Sequence, residues 1–175
     1  VIRSGMDVDR FATAKQLPRR QLSGLRKKYV GRDDCHVVLM VAALEKRKGH
    51  EHALAVAREV FAQVEDVCFL FAGEGQRRQE LEKQVEANFG PDKCRFVGHV
   101  SRIEEAFAIA DVQVHTSSQE GLPQALVQGV ISGVPVVAFE VEGAREVVVD
   151  GKNGFVVPQM ASHEMAQHVI DILVG

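Results

Sequence analysis

The order of apolar runs along the chain predicts an α/β fold, a Rossmann-like parallel sheet with helices on both faces. Two observations carry this expectation. Short β-rich runs alternate along the chain with segments whose apolar residues recur every three to four positions, as in successive βαβ units. The central runs are apolar almost without interruption, which marks strands buried on both faces. At 175 residues, 46% of them hydrophobic, the chain is long enough for one domain with a substantial core.

Taken in order, Val1 to Phe11 reads as a strand end with a turn at Ser4-Gly5. Leu17 to Val30 has Leu22, Leu25 and Tyr29 at helical spacing, with basic residues on its other faces, read as a solvated surface. His36 to Ala43 is a buried strand, and Leu44 to Gly49 a basic loop. Ala53, Leu54, Ala57, Val60, Phe61 and Val64 then give a helical period. Val67 to Ala72 is a second buried strand ending in Gly73-Glu74-Gly75. Gln76 to Phe89 is a charged helix with Leu81 and Val85 inward. Cys94 to Val97 is a short strand and Gly98-His99-Val100 its loop. Ile103 to Ala110 is a helix with Ser101 as N-cap. A strand ending Val112-Gln113-Val114 leads through the loop from Ser117 into a helix that stops at Gly133. Val136 to Ala138 is the next strand. Ala144 to Val149 reads as a short helix, Phe155 to Val157 as a last strand, and Ser162 to Val174 as a closing amphipathic helix.

Composition narrows the function. A net charge of −3 gives no sign of a whole-domain nucleic-acid surface. No run is apolar for long enough to span a bilayer, and no signal peptide is visible. The three cysteines, Cys35, Cys68 and Cys94, are odd in number and lie in or beside strand-like runs, as buried thiols do in a reducing compartment. The seven histidines lack metal-ligand spacing, so no metal is expected. The opening Val1-Ile2-Arg3 has no initiator methionine, which reads as a piece of something longer.

Candidate chemistry collects at strand ends, where ligands bind in open α/β sheets. Lys46-Arg47-Lys48-Gly49-His50 brings cations to the end of a buried strand and the start of a helix. A diphosphate seat and a solvated loop fit that pattern equally well. Gly73-Glu74-Gly75 has two glycines of a dinucleotide fingerprint, but Arg78 stands where the third is needed, so a tight turn is the better reading. Glu120 is a lone carboxylate in the loop after the fourth strand. It can accept two sugar hydroxyls, and the amides of Gly121 and Leu122 at the following helix start can receive phosphate. Gln128, eight residues on, can both donate and accept. His115 ends the strand as a site residue or a packed polar one. Ser117 lacks a nucleophile elbow and reads as a loop hydroxyl.

In their order these residues resemble the C-terminal half of a retaining GT-B glycosyltransferase of group 1, family 4, and the likeness runs nearly end to end. Ser4-Gly5-Met6-Asp7 with Phe11 resembles the family's Asn-Gly-Val-Asp…Phe opening of that half, Lys48-Gly49 its Lys-Gly, and Gly73-Glu74-Gly75…Leu81-Glu82 its Gly-x-Gly…Leu-Glu. Phe96-Val97-Gly98, Ala110-Asp111, Ser117-x-x-Glu120-Gly121-x-Pro123, Gly133-x-Pro135-Val136-Val137-Ala138, Gly143-x-x-Glu146 and Asp150-Gly151-x-x-Gly154 complete the series.

The resemblance implies that residues 1–175 form one nucleotide-sugar donor-binding domain, excised from a longer two-domain enzyme and inactive alone. The donor would be a UDP-, GDP- or ADP-linked sugar, a substrate rather than a cofactor, with no metal required. The acceptor, a glycan or glycolipid, would be held by the missing N-terminal half. Lys48, Gly49 and Arg47 would take the diphosphate; Glu120, Gly121, Leu122 and His115 the sugar and phosphate. Gln128, Val97, Gly98, His99 and Val100 would take the nucleoside. Family members commonly work in polysaccharide biosynthesis in the cytoplasm, at the inner membrane face, with peripheral membrane contact through the full-length enzyme and no nucleic-acid partner.

Two positions depart from the family pattern. Gln128 replaces the second acid of its Glu-x7-Glu motif, and Ala42-Ala43 stand where many members carry a diphosphate arginine, leaving Arg47 or Lys46 as substitutes. These departures are the support for an alternative, a non-catalytic or degenerate sugar-nucleotide-binding module. A related nucleotide-sugar epimerase is the other alternative, against which the Glu120 loop pattern counts.

Overall fold

The computed structural model describes residues 7–90, 92–121 and 123–175. Among these, six parallel strands form one sheet: β1 (His36–Val41), β2 (Val67–Ala72), β3 (Cys94–Gly98), β4 (Val112–His115), β5 (Val136–Phe139) and β6 (Gly154–Val157). Their spatial order is β3-β2-β1-β4-β5-β6. The helices are α1 (Val8–Ala12), α2 (Arg19–Tyr29), α3 (His50–Phe61), α4 (Arg78–Asn88), α5 (Ile103–Ile109), α6 (Gln124–Ile131), α7 (Ala144–Val147) and α8 (Ser162–Val174).

The uninterrupted apolar runs are explained by burial on both faces of the sheet. Val38 and Met40 of β1, with Phe69 and Phe71 of β2, join one core cluster with α3, α4 and α8. The alternate residues Val37, Leu39, Cys68 and Leu70 join a second cluster under α2 and α5. Successive side chains on a strand point to opposite faces, so a strand covered on both sides has no polar position to spare. Leu126 of α6, Val136 and Ala138 of β5 and Ala144 of α7 form a third cluster.

The sequence-predicted elements appear with small shifts, and two readings are corrected. Val8–Ala12, read as part of a strand end and turn, is a short helix, held because Phe11 packs edge-on against Phe107 at 5.9 Å and Arg10 reaches both oxygens of Glu104. Ser101 does not cap α5: Arg102 is the N-cap residue and no side-chain cap bond forms. The turn at Ser4-Gly5 lies outside the described residues. Among the described residues no helix is long and apolar enough to cross a membrane.

One feature of the topology positions the site. Counting from β1, the chain runs outward to β2 and β3 on one side and to β4, β5 and β6 on the other. Crossovers on the two sides lie on opposite faces, so the loops after β1 and β4 diverge and leave a crevice at their carboxyl ends.

Candidate functional site

The crevice is built by loops stitched together through their backbones. After β1, Lys46–Lys48 make a 3-10 turn that Gly49 ends at φ 67° and ψ 37°, opening α3. A Cβ at Gly49 would sit 2.2 Å from the carbonyl oxygen of Thr116, so both the left-handed backbone and the close approach require glycine. Thr116 donates its hydroxyl to the Lys48 carbonyl at 2.9 Å, and the Ser118 amide donates to the Arg47 carbonyl at 2.9 Å. Those bonds fix the β1 loop against the β4 loop.

The β2 loop is fastened to the same framework. Leu44 donates its amide to the Glu74 carbonyl at 2.9 Å, and Gly73 donates to the Gly98 carbonyl at 2.9 Å. A Cβ at Gly73 or Gly75 would lie 2.0 or 2.5 Å from the carbonyl oxygen of Ala42 or Leu44. Both glycines therefore serve close packing of one loop on another.

At the centre, Lys48 Nζ donates to Glu120 Oε1. Each of the two side chains is only 13% exposed. Behind the carboxylate, His115 Nε2 lies 3.7 Å from the same oxygen on a side chain 4% exposed. Burial alone would raise the Glu120 carboxyl, but the Lys48 ammonium bonded to it and the nearby Ser117 hydroxyl together outweigh that and hold the group below the usual carboxylate range. Burial pushes the His115 imidazole down to about 4, against the pull of Glu120, so the ring is neutral at pH 7. The cluster thus pairs one cation with one anion, each suited to a partner on a ligand.

Beside it a cavity of about 550 Å³ opens over the ends of β1, β2 and β3, bounded by Ala42, Ala43, Glu74, His99, Val100 and Gln128. Its alanine wall admits a flat apolar group, and the amide of Gln128 provides two donors and an acceptor. Gln128 is the fifth residue of α6, about one turn into the helix.

The structure brings together Lys48, Gly49, Glu120 and His115, with Gln128, His99 and Val100 in the adjoining cavity. Gly121 is exposed, and its missing side chain leaves open space; it stands before Pro123, the N-cap position of α6, not in the first helical turn. Leu122 lies outside the described residues. Gly98 supports the β2 loop through its carbonyl. Val97 packs instead against the cluster under α2 and α5, and lines a separate cavity of about 490 Å³ with Tyr29 and Phe96. Arg47 is also set apart: it pairs with Glu45 at 2.9 Å, and lines another cavity of about 500 Å³ beside His52, Phe139 and Gln159.

Three contributions escape the sequence reading. Glu74 and Ser101 line the cavity of about 550 Å³ beside Gln128. Gln113, fully buried on β4, donates to the Ala125 carbonyl at 2.9 Å and so anchors the start of α6. A lone glutamine inside an apolar strand was the available signal for the last. Among the described residues no group of three or more His, Cys, Asp or Glu side chains is arranged to hold a metal ion.

Comparison with known proteins adds a family. The model of the family described as glycosyl transferases group 1 matches residues 24–174. An alpha-D-kanosaminyltransferase of Streptomyces kanamyceticus is 32% identical over 167 residues, 94% of this chain and 42% of the relative. A phosphatidyl-myo-inositol mannosyltransferase of Mycolicibacterium smegmatis is 31% identical over 175 residues, 98% of this chain and 42% of the relative. Among solved structures, Anabaena HepE in complex with UDP-glucose superposes with a TM-score of 0.81 at 25% identity, over 95% of this chain and 45% of that one. A glycosyltransferase from Rickettsia africae has a TM-score of 0.84 at 21% identity, over 98% of this chain and 46% of that one, a likeness of fold. The chain thus spans less than half the length of these relatives.

Proposed function

Since the chain belongs to the group 1 glycosyl transferases, we propose that it is the donor-binding part of a retaining, family 4 transferase of GT-B fold, and that its ligand is a nucleoside-diphosphate sugar. The observation that carries this reading is the Lys48–Glu120 pair, set at the switch point beside the cavity of Gln128 and His99. The UDP-glucose held by Anabaena HepE supports it as a ligand class.

In this reading Lys48 turns from Glu120 to the diphosphate, and Glu120 accepts hydroxyls of the sugar. Gln128 bonds the ribose, while His99 and Val100 border the base. Bond breaking between sugar and diphosphate leaves negative charge on the departing phosphate oxygen. Lys48 is suited to receive that charge, with no protein nucleophile needed. The acceptor hydroxyl, held by a second domain, attacks the sugar carbon from the same face and passes its proton to the departing phosphate oxygen. The mannosyltransferase relative, named for phosphatidyl-myo-inositol, motivates a lipid-linked acceptor; a glycan acceptor and work at the cytoplasmic face of a membrane belong to the same proposal.

With Ala42 and Ala43 on the cavity wall and Arg47 paired elsewhere, Lys48 is the cation nearest this task, so donor binding is expected to be of modest strength. Titration calorimetry of the 175-residue chain with UDP, GDP and ADP, and with their hexose esters, is the test. Binding of one such pair with negligible turnover is expected. No heat with any of them at millimolar concentration would overturn the proposal.

A further inference from the structure

His115 is the last residue of β4, paired in register with Ala138 of β5, so its backbone is fixed in the middle of the sheet. Its side chain is 4% exposed, and its Nε2 is buried without a hydrogen-bond partner. Leaving such a group unpaired is costly, and an orphan in a native site asks for a reason. Glu120 Oε1 lies 3.7 Å from it, a few tenths of an ångström beyond hydrogen-bond length. That same oxygen already accepts from Lys48. With its proton on Nε2, the ring stands as a second donor beside that oxygen, unused in the ligand-free site.

The surplus has a use when Lys48 leaves. Glu120 is largely enclosed, and a carboxylate that loses its cation there must find another donor or swing out to water. Resting on the donor-binding reading above, we infer that His115 is a positioning residue: its Nε2–H bonds Glu120 once Lys48 has turned to the diphosphate, and keeps the carboxylate aimed at the sugar. His115 is too enclosed to touch the sugar itself, so it acts through Glu120. The charged groups that face the ring are Glu120 and Lys48, and burial keeps the ring neutral. A neutral imidazole carries its proton on one nitrogen only, and this role requires Nε2. Ser117, whose buried hydroxyl has no hydrogen bond of good geometry but lies near enough to Glu120 to help keep its carboxyl low, is the competing donor in the same loop.

Two measurements test the inference. In the ligand-free chain at pH 7, nitrogen-15 NMR of the imidazoles should show His115 as the Nε2–H tautomer; the Nδ1–H tautomer overturns the role. Calorimetry then compares UDP with UDP-glucose, or GDP with GDP-mannose if the wild type binds that pair instead. His115→Leu should lose about tenfold in affinity for the nucleotide sugar, as for one hydrogen bond to a charged group, and little for the nucleoside diphosphate. His115→Gln, which retains an N–H, should recover most of that loss, and Ser117→Ala should behave as wild type. Equal loss of both ligands, no loss, or a selective loss in Ser117→Ala instead would overturn it. If His115→Leu does not fold, His115→Gln against His115→Asn makes the same comparison, since the shorter amide falls short of Glu120. A wild type that binds no nucleotide speaks against the donor reading, whereas the tautomer is read without any ligand.

Discussion

Replacing Lys48 by Ala removes the cation from an ion pair whose two side chains are each 13% exposed. Breaking a fully buried pair costs about 3–5 kcal/mol, and an exposed one under about 1 kcal/mol. Enclosure of this degree places the expected loss at about 2–3 kcal/mol. For a chain of this size that lowers the melting temperature by roughly 4–12 °C. The assay is thermal unfolding at pH 7 of wild type, Lys48→Ala, Glu120→Gln and the double variant. Most of the Lys48→Ala loss comes from the stranded carboxylate, so adding Glu120→Gln should cost little more, or restore some stability. The pH dependence follows from the lowered folded-state value of Glu120. The stability contributed by the pair is fully present above the unfolded carboxyl value of about 4.3 and is lost as pH falls through the lower folded value. The gap between wild type and Lys48→Ala should therefore close in acid. Losses that simply add in the double variant, or a gap independent of pH, would refute the pairing.

Other outcomes follow from the same geometry. Lys48→Ala should weaken nucleoside diphosphates by about 10-fold or more while leaving nucleosides little changed, as for one lost charge-assisted hydrogen bond; calorimetry showing equal loss would contradict its assigned role. Gln128→Glu should keep or tighten donor affinity, because a carboxylate accepts ribose hydroxyls more strongly than an amide does; a large loss in the same titration would remove Gln128 from the ribose. Gly49→Ala should cost about 2 kcal/mol or more in urea unfolding, since the left-handed backbone and the Thr116 carbonyl both oppose a Cβ; an unchanged midpoint would show that the two loops are not held so tightly. His50 is buried and its imidazole pushed down to about 4 by that burial, so it contributes stability that is complete above about 6.5 and is lost as pH falls towards 4. His50→Leu should accordingly flatten the decline between pH 7 and 5 by about 2 kcal/mol; an unaltered slope would contradict this.

The sheet was legible because its strands are buried on both faces and so carry an unbroken apolar signal, as Val67 to Ala72 does. The closing helix was equally clear, since Met165, Ala166, Val169, Ile170 and Leu173 mark one face at helical spacing. Val8–Ala12 was not: a five-residue helix with one buried anchor has no period to read. Its reason is tertiary, in Phe107 and Glu104, far along the chain. In the site, Lys48 and Glu120 were found at strand ends, but their mutual bond was not, because it joins loops 72 residues apart. The same limit applies to Arg47, whose neighbour Lys48 faces Glu120 while Arg47 itself turns to Glu45. Side-chain direction within a 3-10 turn depends on the turn's own geometry, which residue types do not specify. The roles of Glu74 and Ser101 were hidden for a related reason: each belongs to a loop whose position is set by a different strand.

On the donor-binding proposal, the crevice between the loops after β1 and β4 holds a nucleotide sugar. Chemical-shift mapping on the isotope-labelled chain with UDP-glucose or GDP-mannose tests it most directly. The predicted perturbations fall on residues 42–49, 98–101 and 115–128, with Lys48, Glu120 and Gln128 among them. Perturbations centred on the cavity of Tyr29 and Phe96, or none at millimolar ligand, would contradict it.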